Sequence, residues 1–212
     1  MDNNYTETED NIKSVTYDND KTNKDVVKET EDIAAPGSEN TKNALLAEIL
    51  EWVKIIVLAV VGAFLINNFL IINAVIPSAS METTIMTGDR VFGNRLAYIN
   101  SEPKYGDIVI FKYPDDESQY FIKRVIGTPG DKVEVIDGVV YINDEQIQED
   151  FLSVTPTGNF GPYDVPADCY FMMGDNRDNS ADSRYWINTY VHKDKILGKA
   201  IFRYFPNPGI VK

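Results

Sequence analysis

The chain has 212 residues, 43% of them hydrophobic and 11% aromatic, with a formal net charge of −13. That apolar content supports a real core and excludes wholesale disorder, while the length allows one ordinary domain plus appendages. The acidic balance excludes nucleic acid as a partner, because nothing would neutralise a run of phosphates. Cys169 is the only cysteine, so no internal disulfide and no thiolate metal cluster can form.

Residues 1–43 carry 11 Asp/Glu against 5 Lys, a net charge of −6. High charge with few apolar residues predicts a disordered acidic tail. The 18 residues from Ile55 to Ile72 that follow are apolar throughout, except at Gly62, Asn67 and Asn68. With Trp52 and Val53 the segment would reach about 31 Å as a helix, enough to cross a bilayer core. Trp52 stands where an interfacial aromatic anchors such a span. The 43-residue acidic lead argues against a cleaved signal peptide, which opens on a basic start. A buried core helix is the other reading, but its apolar residues run around all faces. Lys42 and Lys54 before the span against Arg90 after it lean toward an N-terminus inside the cell.

Immediately beyond lies Ile76-Pro77-Ser78-Ala79-Ser80-Met81-Glu82-Thr83-Thr84-Ile85. It reads either as a polar linker leaving the bilayer or as a hydroxyl nucleophile, Ser80, held just above the membrane. After Pro77 the texture becomes short strands and turns: Asp107–Tyr113, Tyr120–Ile126, Lys132–Ile136 and Val139–Ile142, with Tyr170–Met173 and Lys199–Phe205 later. Asp137-Gly138 is a hairpin signal, since a tight type I′ turn needs positive φ at both central positions. Residues 144–168, rich in Pro, Gly and Asp, read as loop or edge structure.

In Tyr120–Gly127, side-chain alternation places Phe121, Lys123 and Val125 on one strand face. Either Lys123 snorkels its ammonium to water or it is a desolvated base. At a reference pKa of about 10.4 only ~0.04% of a lysine is neutral at pH 7. Burial that lowers the value by ~3 units would make ~30% neutral, at about 4 kcal/mol against folding. The stretch Met173–Trp186 is dense in hydrogen-bonding groups, with Arg177 and Arg184 among three aspartates. It is either a solvated loop or a cross-bonded one that buttresses something. The lone histidine, His192, has charged neighbours and reads as a surface residue. No zinc pair, no Ser-His-Asp set and no phosphate loop is present, so any base must be a carboxylate, a tyrosine or a lysine. Cys169 opens an apolar strand and reads as core.

Together these stretches resemble the type I signal peptidases, serine proteases of the Ser-Lys dyad class. Ile76–Met81 is similar to the family's nucleophile box. Gly88-Asp89-Arg90-Val91 with Asn94-Arg95 resembles the next box, Phe121–Asp131 the lysine box, and Gly174–Trp186 the last. Two positions depart from the family pattern. Thr83 stands where a proline is usual, and Ile187 stands where a glycine usually follows the tryptophan.

The resemblance implies a mostly β fold: one N-terminal transmembrane helix followed by a signal-peptidase-like β-sheet catalytic domain. Its divisions are an acidic cytoplasmic tail 1–43, an anchor 44–74 and an extracytoplasmic protease domain 75–212. It implies Ser80 as nucleophile and Lys123 as general base. Ser78 supports the oxyanion, Ser180 hydrogen-bonds the lysine ammonium, and Asp182 and Arg184 brace the loop. Ile76, Pro77 and Ile122 contact an extended substrate with small residues, typically alanines, at the first and third positions before the cut. No cofactor or metal is implied. The implied partners are secretory preproteins and the lipid bilayer, with the enzyme a single-pass monomer of the cell membrane. The tail's charge suggests a translocon or cytosolic component as a further partner. Two other readings compete: a self-cleaving Ser-Lys protease of the repressor type, which the anchor disfavours, and a non-catalytic, membrane-anchored β module for protein binding.

Overall fold

The computed structural model describes residues 38–152 and 156–212. The acidic tail falls for the most part outside the described residues. The first element is a 28-residue helix, α1 (Ser38–Leu65), continued by one wider π-helical turn, Ile66–Leu70. Between Asn43 and Leu70 its most apolar 18-residue window has a mean hydropathy of 2.4. At 1.5 Å per residue that is about 42 Å, long and apolar enough to cross a membrane. Its apolar side chains are exposed, Leu58 by 75% and Val60 by 63%, so it is not a core helix. Contacts divide the chain into two units, residues 1–53 and 54–212.

The apolar run does not remain helical to its end. Asn68 caps its own turn by donating from Nδ2 to Phe64 O at 2.9 Å. Ile71–Val75 then leaves as strand β1 and pairs antiparallel with β2 (Arg90–Asn94). β-branched Ile72 buries itself against the sheet, and this packing outweighs the helical pattern of the run.

The remaining strands are β3 (Ile108–Lys112), β4 (Tyr120–Gly127), β5 (Lys132–Ile136), β6 (Val139–Ile142), β7 (Glu145–Gln146), β8 (Phe160–Asp164), β9 (Cys169–Met173), β10 (Val191–His192), β11 (Ile196–Phe205) and β12 (Gly209–Ile210). They form two antiparallel sheets. The larger runs β1-β2-β11-β3-β4-β9-β10, with β12 on β11, and the smaller runs β7-β6-β5-β8. The fold is therefore mostly β behind one N-terminal apolar helix. Asp137 and Gly138, at φ 50° and 81°, make the β5–β6 turn. β7 and β8 lie within 144–168, the stretch read as loop or edge.

Three apolar clusters result. Ile72, Ile76, Met81, Ile85 and Ile122 belong to the first. Val109, Phe111, Val125, Met172 and Trp186 form the second, with Phe121 against it. Val133, Val135, Phe171 and Met173 join the small sheet to the large one in the third, against which Cys169 packs half-buried. His192 is exposed and lies 3.4 Å from Asp194.

Candidate active site

The chain after β1 is anchored before it reaches Ser80. Ile76 donates its N–H to Asp89 O at 2.9 Å and accepts from Gly88 N at 2.8 Å. Ser78 remains extended, at φ −133° and ψ 159°, and Ala79–Met81 then closes as a single 3₁₀ turn. Met81 and Ile85 are fully buried and fix its far side. Asn176 holds the turn from across the site: its Nδ2 donates to Ala79 O at 3.0 Å and its backbone N–H to Ser80 O at 3.1 Å.

β4 supplies the partner. Lys123 pairs with Val109 on β3, and its Nζ lies 5.4 Å from the centre of the Phe121 ring. Lys123 is 4% exposed and Ser80 7%. Lys123 Nζ donates to Ser80 Oγ at 2.6 Å and to Ile122 O at 3.3 Å. Burial pushes the amine down from its ordinary value of 10.5 to about 8, against the opposing pull of the Asp182 and Asp175 carboxylates. A neutral amine at that distance is placed to accept a hydroxyl proton, the arrangement by which a serine is activated for attack.

Ser78 Oγ is 3.5 Å from Ser80 Oγ on the exposed side. Ser180 departs from expectation. Its Oγ is buried without a hydrogen-bond partner, while Lys123 Nζ donates to Ser80 and Ile122. Asp182, fully buried, receives Arg184 Nε at 2.8 Å and Nη2 at 2.9 Å, and Gly174 N–H at 3.0 Å. Arg184 Nη2 also donates to Arg177 O at 2.5 Å.

A groove of about 620 Å³ runs beside the dyad between β1 and β4, lined by Ala74, Ile76, Pro77, Tyr120 and Ile122 among others. Ile76 and Ile122 are buried, and Pro77 is exposed at the rim. Among the described residues, β1 pairs only with β2, and β9 joins β4 only from Arg124 onward. Both strands therefore keep a free backbone edge along this groove, as strand addition requires.

Residues 49–205 match the family described as signal peptidase, peptidase S26. The chain is 38% identical to the probable signal peptidase I-2 of Synechocystis sp., over 85% of this chain and 84% of that one. It is 38% identical to signal peptidase I of Bacillus amyloliquefaciens, over 80% and 95%, and 40% identical to signal peptidase I P of Bacillus subtilis subsp. natto, over 76% and 90%. The chain belongs to the signal peptidase family, peptidase S26. It is a serine peptidase of the signal peptidase I type. A crystal structure of a signal peptidase I from Enterococcus faecalis V583 is 32% identical, covering 47% of this chain and 97% of that one, at a TM-score of 0.42.

The peptidase also uses residues that its sequence did not single out. Arg124 forms a buried bidentate pair with Asp175, Nε to Oδ1 at 2.8 Å and Nη2 to Oδ2 at 2.7 Å. Thr84 Oγ1 donates to the same carboxylate at 2.5 Å, tying the segment after the Ser80 turn to the loop. Arg177 pairs with Glu149 in a second buried contact, and the Phe151 ring centre lies 3.9 Å from the Arg124 guanidinium. Arg177 and Asp175 carried a signal as members of the arginine- and aspartate-rich loop, and Arg124 and Thr84 lay in the noted stretches without a role of their own. The departures from the family pattern lie outside the dyad: Ile187 is 91% exposed, and Thr83 is exposed beside the turn.

Proposed function

We propose that this peptidase removes N-terminal signal peptides from secretory preproteins through a Ser80–Lys123 dyad. The observation that carries the reading is the buried 2.6 Å contact between Lys123 Nζ and Ser80 Oγ beside an open groove. Lys123, neutral, takes the Ser80 proton as Oγ attacks the scissile carbonyl. The same proton then goes to the leaving amine, and an acyl-enzyme on Ser80 remains. Lys123 next deprotonates a water that attacks this ester, and Ser80 is regenerated. The Ser80 N–H and the Ser78 hydroxyl donate to the oxyanion in both steps.

The signal peptide lies extended between the free edges of β1 and β4. Small side chains, alanines above all, enter shallow apolar pockets by Ile76, Pro77 and Ile122 at the first and third positions before the cut. Ser180, though unpartnered in the resting arrangement, directs the lysine by accepting from its remaining N–H while the contact to Ser80 is kept. Asp182 and Arg184 hold the loop that carries it. The anchor helix, which ends at Leu70 rather than at residue 74, spans the cell membrane once with its N-terminus in the cytoplasm. It sets the protease domain, β1 onward, on the outer face, where preproteins emerge from the translocon, and the enzyme acts as a monomer.

Purified protein in detergent is expected to cut a secretory precursor after its Ala-x-Ala site, with Ser80→Ala and Lys123→Ala each abolishing the cut. Activity that survives either substitution would contradict the dyad.

A further inference from the structure

Lys123 lies within the field of two buried carboxylates, and both are already engaged. Asp175 is 5% exposed and held by both forks of Arg124. Asp182 is fully buried and held by both forks of Arg184. These aspartates bracket the stretch that abuts the nucleophile. Gly174 donates to Asp182, Asn176 donates to Ser80 O, and Asp175 between them accepts from Thr84 of the nucleophile turn. An unpaired anion here would act through a low-dielectric interior with little screening. Other charged groups on the packed elements also have partners. Arg177 pairs with Glu149, Glu82 accepts from Thr87, and Asp107 at the start of β3 pairs with Lys199.

We propose that Arg124 and Arg184 are charge-compensating positioning residues: each neutralises a buried carboxylate so that neither anion retains a proton on Lys123. The inference rests on the dyad reading above and deepens it. Structural bracing alone would need the pairs to be bonded, and would be indifferent to the sign of what remains when one half is removed. The carboxylates of Asp182 and Asp175 do pull the Lys123 amine upward, against its desolvation. Losing Arg124 leaves Asp175 unopposed and makes Lys123 harder to deprotonate. Losing the Asp175 charge leaves Arg124 unopposed and makes it easier.

The test is the acid limb of kcat/KM against pH, which reports the free enzyme's base. It is measured on the full chain in detergent with a signal-peptide substrate. Arg124→Met is expected to move the limb up by about one pH unit and Asp175→Asn to move it down by about one, a typical environmental shift. The double variant is expected to restore it, and Arg124→Lys to leave it in place even where kcat falls. Limbs that stay fixed, or that move the same way in both single variants, overturn the proposal. If Arg124→Met does not fold, Asp175→Asn alone decides, since a fixed or raised limb there is equally fatal. Lys123→Ala separates the two layers. An active Lys123→Ala removes the base assignment itself, whereas an inert one with unmoved limbs removes only the compensating role.

Discussion

Gly174 leaves no space for a side chain beside Ser80: a Cβ at residue 174 would lie 2.4 Å from the Ser80 carbonyl oxygen and 2.3 Å from Ser180 Oγ. Neither approach is tolerable, and the first involves backbone, so the nucleophile turn itself must shift. Displacements of about 1 Å near reacting groups cost on the order of 10²-fold in rate. Gly174→Ala is therefore expected to lower kcat by about 100-fold or more, measured on a precursor peptide. A variant within twofold of wild type would show that the turn yields freely.

Lys123→Arg preserves the charge but not the function. Guanidinium does not lose a proton at accessible pH, so no base remains beside Ser80, and precursor cleavage is expected to be undetectable. Measurable turnover by this variant would mean that another group takes the serine proton.

Lys123→Met is expected to separate activity from stability. The folded amine sits at about 8 against an ordinary 10.5, so between those pH values the unfolded chain holds more protons than the folded one. Stability attributable to this group therefore rises as pH climbs from about 8 to about 10.5. At neutral pH the buried ammonium is a burden on the order of 3 kcal/mol. Chemical denaturation at pH 7 should find Lys123→Met inactive but more stable than wild type. The advantage should fade above pH 10. A less stable variant at pH 7 would mean that the amine contributes more through its bonds than burial costs it.

Ser78 contributes a hydroxyl 3.5 Å from Ser80 Oγ, and it is exposed where the substrate carbonyl would arrive. Removing one oxyanion donor costs about 10²–10³ in rate. Ser78→Ala is expected to lose kcat in that range with KM nearly unchanged. A rise in KM at constant kcat would place Ser78 in substrate binding instead.

The Ser80–Lys123 contact was legible because its two halves contradict their surroundings. Ser80 follows a proline directly after an apolar span, and Lys123 interrupts an apolar strand face. Strands with β-branched runs, such as Lys132–Ile136 and Val139–Ile142, were legible to the residue. β1 was not, because Ile71 and Ile72 extend the apolar run and only their pairing with Asn94 and Gly93 makes them a strand. β8 carries Gly161 and Pro162 and has no alternation to betray it. The Arg124–Asp175 pair spans 51 residues. No local pattern announces such a partner, and it emerges only when β4 and β9 align.

The most direct test of the dyad is an NMR titration of the Lys123 amine in lysine-labelled protein in micelles, with Lys123→Met to assign its signal. A midpoint near 8 is expected, the result of burying the amine beside Ser80. A midpoint at or above the ordinary 10.5 would leave too little neutral amine at physiological pH, and would contradict Lys123 as the base.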